Sequence, residues 1–259
     1  MSIPITNKFF QETADNIQEA KRILVASSRI LANEGVFDAF GHMSIRNPEN
    51  PETFFMSRSV SPEMVTMDDI IELDQQGIIV NSPNPRFRPF GERFIHSAIY
   101  AARDDVNSIC HPHPAELIPF ASCDIPLRSI YHQDVTFYDG IDVFRDLPEE
   151  NGCLINTLEL GEKLAKKLGE KRGILIQNHG VVVVGESAAR TVYSCITLRD
   201  NAKMLLQTLS MSPGNVYYIS EEAAKNGMEK QFAFGLVRSW NYWCSHARES
   251  YPDLAEIIF

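Results

Sequence analysis

The sequence predicts a single α/β domain, and three observations carry that expectation. Stretches with the 3.6-residue period of a half-buried helix alternate with short runs that are apolar throughout or alternate in polarity. Hairpin signals stand at Gln75-Gln76-Gly77 and Asn178-His179-Gly180, between runs rich in Ile and Val. No repeat, low-complexity segment or linker divides the chain, so 1–259 reads as one unit with a helical tail over 215–259.

Taken in order, Asp15 to Gly35 has helical periodicity, with Ile17, Ala20, Ile23, Leu24, Ser27, Ile30 and Leu31 on one face. Gly35 is a natural stop. Phe40 to Arg46 and Thr53 to Met56 read as two strands joined by a turn with two prolines. Ser61-Pro62 resembles an N-cap and first helical position of a helix ending near Asp69. Ile70–Asp74 and Ile78–Val80 form the next hairpin. Asn81 to Gly91, with three prolines, is a surface loop, and Glu92 to Arg103 is a helix.

A strand then leads into His111 and His113, followed by a short helix over Ala115–Ser122 and a strand-like, ring-rich stretch from Arg128 to Phe144. Leu158 to Leu168 is an amphipathic helix ended by Gly169. Gly173–Gln177 and Val181–Gly185 are buried strands around Asn178-His179-Gly180. Ser187 N-caps a long helix to Leu209. A terminal helix over Glu221–Glu249 carries Phe232, Leu236, Trp240 and Trp243.

Composition narrows the function classes. The chain has 259 residues, 44% hydrophobic and 22% charged, which is ordinary for a globular protein. A formal net charge of −10 argues against nucleic acid or an anionic membrane as partner, and an anionic substrate then needs a local cationic pocket. The five cysteines (110, 123, 153, 195 and 244) are widely spaced and read as reduced thiols of a cytoplasmic protein. Neither a secretory signal nor an 18-residue apolar stretch is present.

The chemistry gathers at Cys110-His111-Pro112-His113-Pro114. In extended backbone, residues two apart share a face, so His111 and His113 project together at a strand end. Two imidazoles there are half of a metal site or a hydrogen-bonded pair in a turn. His179 lies at a tight bend between apolar runs, either as a third ligand or as a core histidine with both ring nitrogens partnered. Three histidines with an open position suit a catalytic ion. Glu92 is either a helix-start carboxylate favoured by the dipole or an acid–base group. His96 and His246 read as surface or core histidines.

Together, Glu92, His111-Pro112-His113, Asn178-His179-Gly180, Gly41 to Arg46 and Asp69 to Gly77 resemble the class II aldolase/adducin family over roughly Ile17 to Leu209. The resemblance implies one three-layer α/β/α domain with a largely antiparallel central sheet. It also implies one divalent ion per chain on His111, His113 and His179, zinc or manganese first and ferrous iron or cobalt also compatible. Glu92 is by the same resemblance the catalytic carboxylate, and the assembly a homotetramer with active sites between subunits. An adducin-like assembly module is the non-enzymatic alternative, against which the intact histidine triad speaks.

The departures point to a branch. Sugar-phosphate members cradle phosphate with small residues, because side chains would occupy the anion's place. Here Ser57-Arg58-Ser59 and Phe90-Gly91 stand in those stretches, and Arg58 with Phe90 suits a flat carboxylate. With Tyr131-His132 and Gly41-His42-Met43-Ser44, this resembles the decarboxylases of hydroxylated aromatic or pyridine carboxylates and related ring-fission products. The resulting expectation is a carbon–carbon lyase of aromatic catabolism, a decarboxylase before a ketose aldolase or epimerase, with a ferrous oxygenase a distant third. Substrate contacts fall to Arg58, Ser57, Phe90 and Tyr131. His42 or His132, aided by Glu92, is the proton source. His42 has a second reading as a polar strand residue facing solvent.

Overall fold

The computed structural model describes residues 14–230 and 235–258. Helix α1 (Ile17–Asn33) starts where the Asn16 side chain accepts from the Glu19 N–H at 3.0 Å, and it buries the predicted apolar face. Eight strands follow among the described residues: β1 (His42–Arg46), β2 (Thr53–Ser57), β3 (Ile70–Asp74), β4 (Ile79–Asn81), β5 (Ser108–His111), β6 (Asp142–Phe144), β7 (Gly173–Ile176) and β8 (Gly180–Gly185). They form one sheet in the order β4-β3-β2-β1-β5-β8-β7-β6.

The sheet is mixed. β6 runs parallel to β7, and the other neighbouring pairs are antiparallel, so the expected sheet is corrected to that extent. The parallel pair arises because α4 (Leu158–Leu168) lies between β6 and β7 in sequence, and a parallel connection needs such a crossover.

Period-two alternation divides the core. Met43, Ile45, Phe55, Cys110, Val181 and Val183 face α1, α5 (Ala188–Met211) and α7 (Leu236–Ser250). Phe54, Met56, Ile109, Ile174, Ile176 and Val182 face α2 (Arg93–Ala102) and α4, and the short α3 (Ile118–Ala121) follows β5 in the chain. Helices thus cover both faces, as apolar residues on both sides of β8 require. At the crossing of α2 and α4, a Cβ on Gly161 would collide with the Phe94 carbonyl oxygen. Only glycine allows that approach, and it sets where the start of α2 lies.

Three local expectations are corrected. Between Ser61 and Asp69 there is no single helix but two 3₁₀ turns, Pro62–Met64 and Met67–Asp69. Asp69 reaches back to the Thr66 N–H and hydroxyl, a local capping box that restarts the chain mid-segment. The stretch Arg128–Phe144 is mostly irregular. Its backbone is held by Asn201, which accepts from the Ile130 and Tyr131 N–H groups and donates to the Arg128 carbonyl, in place of a strand ladder. The terminal helix is described as α6 (Glu221–Lys230) and α7, followed by α8 (Leu254–Ile258), and Phe232 lies outside the described residues. Trp240 and Trp243 of α7 lie in the core, 0% and 7% exposed. Among the described residues no helix is long and apolar enough to cross a membrane.

Candidate active site

The site forms where β1, β5 and the β7–β8 turn meet the start of α2. The β1–β5 register sets His42 opposite His111, with ring centroids 5.2 Å apart. Past the strand end His113 folds back, bringing its Nε2 to 3.1 Å from His111 Nε2. Asn178 takes a left-handed φ of 55°, which asparagine tolerates, and this closes the turn that delivers His179. Gly180 is needed beside it, since a Cβ there would meet the Pro112 carbonyl at 2.6 Å and the His113 ring at 2.7 Å.

Glu92 precedes α2 but makes no capping bond with its side chain. Its Oε1 accepts from the Ile155 N–H at 2.9 Å, and its Oε2 lies 3.5 Å from Nε2 of both His111 and His179. One ligand atom from each of Glu92, His111, His113 and His179 falls within 4.8 Å of the others.

The outer nitrogens reveal the donor set. His111 Nδ1 lies 2.8 Å from the Val181 carbonyl and His179 Nδ1 2.9 Å from the Cys153 carbonyl. A carbonyl only accepts, so both protons sit on Nδ1 and the two neutral rings turn bare Nε2 lone pairs inward. Lone pairs 3.1–3.5 Å from one another and from a carboxylate call for positive charge at the centre, either a proton or a cation. A divalent ion fits this set of three imidazoles and a carboxylate.

The electrostatics agree. Burial, then the charges of His111 and His179, pushes His113 down to about 3, and burial likewise lowers His179. Neutral imidazole is the ligating form. Burial works to raise the Glu92 carboxyl, but positive charge at His111 and His179, with the Ile155 N–H, outweighs it and holds it at about 2, so a proton or a cation at the centre keeps Glu92 ionised.

His42 is buried, not facing solvent, and its ring packs 4.6 Å from Phe90. Its Nδ1 lies 2.8 Å from His96 Nε2, and burial lowers both rings well below the ordinary imidazole value. Continuing the Ser44–Met56 pairing by two residues puts Arg58 on the face of His42. Arg58 Nε donates to Asp69 Oδ1 at 2.6 Å and its guanidinium lies over the Phe87 ring.

Two groups expected in the site lie apart from the histidine cluster of the same chain. Ser57 alternates with Met56 and goes with Phe55 toward the opposite core. Tyr131 and His132 are not members of the histidine cluster. Their loop is fastened by Asn201 to α5, the helix across the sheet from α2.

Sequence reasoning missed His96, Ser44 and Tyr100, which form a buried polar chain behind His42. Parity could have found them: His42 and Ser44 share one face of β1, and His96 and Tyr100, four apart, share one face of α2. It also missed the Gly152–Ile155 loop. There Cys153, at a left-handed φ of 65°, offers its carbonyl to His179, while Ile155 holds Glu92. Nothing in residue type announces that role, because backbone atoms perform it.

The family model described as the class II aldolase and adducin N-terminal domain matches residues 22–206, well over half of the chain. The chain belongs to that family. Among class II aldolase relatives, it is 30% identical over 247 residues to a protein called decarboxylase tropJ from Talaromyces stipitatus, covering 86% of this chain and 91% of that one. It is 26% identical to decarboxylase NovR from Streptomyces niveus, covering 71% of this chain and 66% of that one. In structure it is similar to an L-fuculose 1-phosphate aldolase from Glaciozyma antarctica, with a TM-score of 0.73, 25% identity, and 96% and 95% of the two chains covered.

Proposed function

We propose that the protein is a metal-dependent carbon–carbon lyase, a decarboxylase of a hydroxylated aromatic or heteroaromatic carboxylate or a related ring-fission product. The observation that carries this reading is the convergence of three imidazole Nε2 atoms and a carboxylate beside a buried His42 walled by Phe90. The likeness to two relatives named decarboxylases supports the choice of reaction.

What a divalent ion would supply on His111, His113 and His179 is Lewis acidity toward an oxygen next to the reacting carbon. The chain's own residues do the rest. Phe90 offers a flat wall to a ring, and Arg58 offers the guanidinium nitrogens that Asp69 does not occupy to the departing carboxylate. His42 gives its Nε2 proton to the ring carbon that bears the carboxylate as its Nδ1 takes the proton held between it and His96, so its ring stays neutral. The carbon–carboxylate bond then breaks, carbon dioxide leaves, and the bonding pair restores the aromatic ring. His42 regains its proton from water, and Glu92, fixed by Ile155, balances the charge at the centre.

A second reading, an aldolase on a ketose phosphate, has the fuculose 1-phosphate aldolase likeness in its favour. Both readings leave electrons on carbon, so the experiment that separates them measures products. A panel of ortho-hydroxy aromatic acids and ketose phosphates is assayed for carbon dioxide and for aldehyde. Carbon dioxide from an aromatic acid supports the decarboxylase, and aldehyde from a ketose phosphate with no carbon dioxide overturns it.

A further inference from the structure

Behind His42 runs a line of four buried groups. His42 Nδ1 lies 2.8 Å from His96 Nε2, His96 Nδ1 lies 2.6 Å from Ser44 Oγ, and Ser44 Oγ lies 2.9 Å from the Tyr100 hydroxyl. Ser44 and His96 are 0% exposed, Tyr100 1% and His42 5%, so water does not complete the pattern. Each link holds one proton, and those protons can all point outward, toward His42, or all inward, toward Tyr100.

The inner end decides. Ser44 is the hydrogen-bond partner of the Tyr100 hydroxyl among the described residues. If the protons ran inward, Ser44 would donate to the phenol oxygen and the phenol's own proton would be buried with no acceptor, the costly case for a polar group. If they run outward, Tyr100 donates to Ser44, Ser44 to His96 Nδ1, and His96 Nε2–H to His42 Nδ1. Every proton in the line then has an acceptor, and the His42 proton is left on Nε2.

We infer that Tyr100, Ser44 and His96 form a one-way buried relay that fixes His42 in the tautomer with its proton on Nε2, the nitrogen left for substrate. Ser44, His96 and Tyr100 are positioning residues: they touch no substrate and act through the His42 ring. Tautomer selection by the partner of the other ring nitrogen is a general property of histidine, here extended through two hydroxyls. The assignment of the tautomer stands on the hydrogen bonds alone. Its use as a proton donor to carbon rests on the decarboxylase reading above.

The test reads protons directly. Zinc-loaded protein labelled with ¹⁵N in its histidine rings is examined at neutral pH by long-range ¹H–¹⁵N correlation, with His42→Gln used to assign the His42 ring. The expected spectrum has His42 and His96 both protonated at Nε2 and bare at Nδ1. Ser44→Ala cuts the line next to His96 and is expected to release both rings into a mixture of tautomers. Tyr100→Phe is expected to keep the tautomer, because Ser44 then becomes the inner hydroxyl with no acceptor beyond it.

Protonation of His42 at Nδ1 overturns the relay, and so does a Ser44→Ala spectrum identical to that of the starting protein. The spectrum of the unaltered protein decides the polarity even if a variant fails to fold. On a substrate that releases carbon dioxide, Ser44→Ala lowers kcat by roughly ten- to a hundredfold with KM little changed, the range for loss of a group orienting a functional histidine. His96→Gln keeps part of the rate that Ser44→Ala loses, since its amide donates to His42 while its carbonyl accepts from Ser44. No carbon dioxide from any acid, with His42 still protonated at Nε2, sinks the decarboxylase reading and leaves the relay standing.

Discussion

Glu92 divides its two carboxylate oxygens between Ile155, whose N–H it accepts at 2.9 Å, and the cluster centre, where Oε2 lies 3.5 Å from His111 and His179. A glutamine can keep the first contact through its amide oxygen but not the charge at the second. Glu92→Gln is therefore expected to retain about one divalent ion per chain, held by the three histidines. It should lose roughly 10²-fold or more in kcat, as for an acid–base group. Metal analysis beside steady-state kinetics checks this, and loss of the ion would instead make Glu92 a ligand.

Alanine at His111, His113 or His179 should strip the ion and abolish turnover. The fold should suffer little at His113 and His179 and more at His111, which is fully buried and bonded to Val181. Metal content and thermal unfolding of the three variants decide the matter. A variant that keeps its full ion content removes that residue from the ligand set.

Acid should weaken the metal-free protein already above the range where carboxylates titrate. Burial holds His42, His96 and His179 below the ordinary imidazole value and His113 at about 3, whereas the unfolded rings titrate near the usual ~6.5. Below that pH the unfolded chain binds protons that the folded chain refuses, so stability is full above it and falls as pH drops. Urea midpoints at pH 7.5 and 5.5 should show the decline. A flat profile would mean that these rings are charged in the fold.

Arg58 is half engaged, with Nε on Asp69 at 2.6 Å and its side chain 34% exposed. If the remaining nitrogens grip a substrate carboxylate, Arg58→Ala should weaken binding by about 2–5 kcal/mol, as for a charge pair left half-empty. Arg58→Lys should recover part of it, because an ammonium lacks the planar fork. Salicylate-like acids should compete for the site and inorganic phosphate should compete poorly. The reverse order in a competition assay returns the protein to the sugar-phosphate branch.

The rings open to an interface are those that the fold leaves outside the core. Trp240, Trp243, Phe137 and Phe144 are core, whereas Phe40, Met211, Tyr217 and Tyr242 are 69%, 86%, 87% and 61% exposed. Exposed aromatics and methionine are enriched at interfaces. We expect a homotetramer in which these side chains are covered, and light scattering at micromolar concentration checks it. A monomer that turns over substrate at full rate would remove any need for sites shared between subunits.

What the sequence determined by itself were the features that local chemistry writes directly. Helix α1, the β1–β2 and β7–β8 hairpins and α4 followed by Gly169 show in period, turn residues and caps. His111, His113 and His179 stood out because imidazoles beside proline and glycine in apolar runs are hard to place otherwise.

The tertiary structure alone decided the rest, since it depended on groups far apart in the chain. Asp69 restarting at Thr66 and Asn201 pinning 128–131 replaced regular elements with side-chain bonds that periodicity does not encode. Whether Glu92 was a cap or a site group turned on Ile155, 63 residues away. Ser57 faces away from the histidines of its own chain because a strand alternates its faces, and Asn201 ties the Tyr131-His132 loop to the opposite layer. His96 gained its place only when α2 laid it against Ser44 and His42, because a buried polar group is defined by the partners the fold brings to it.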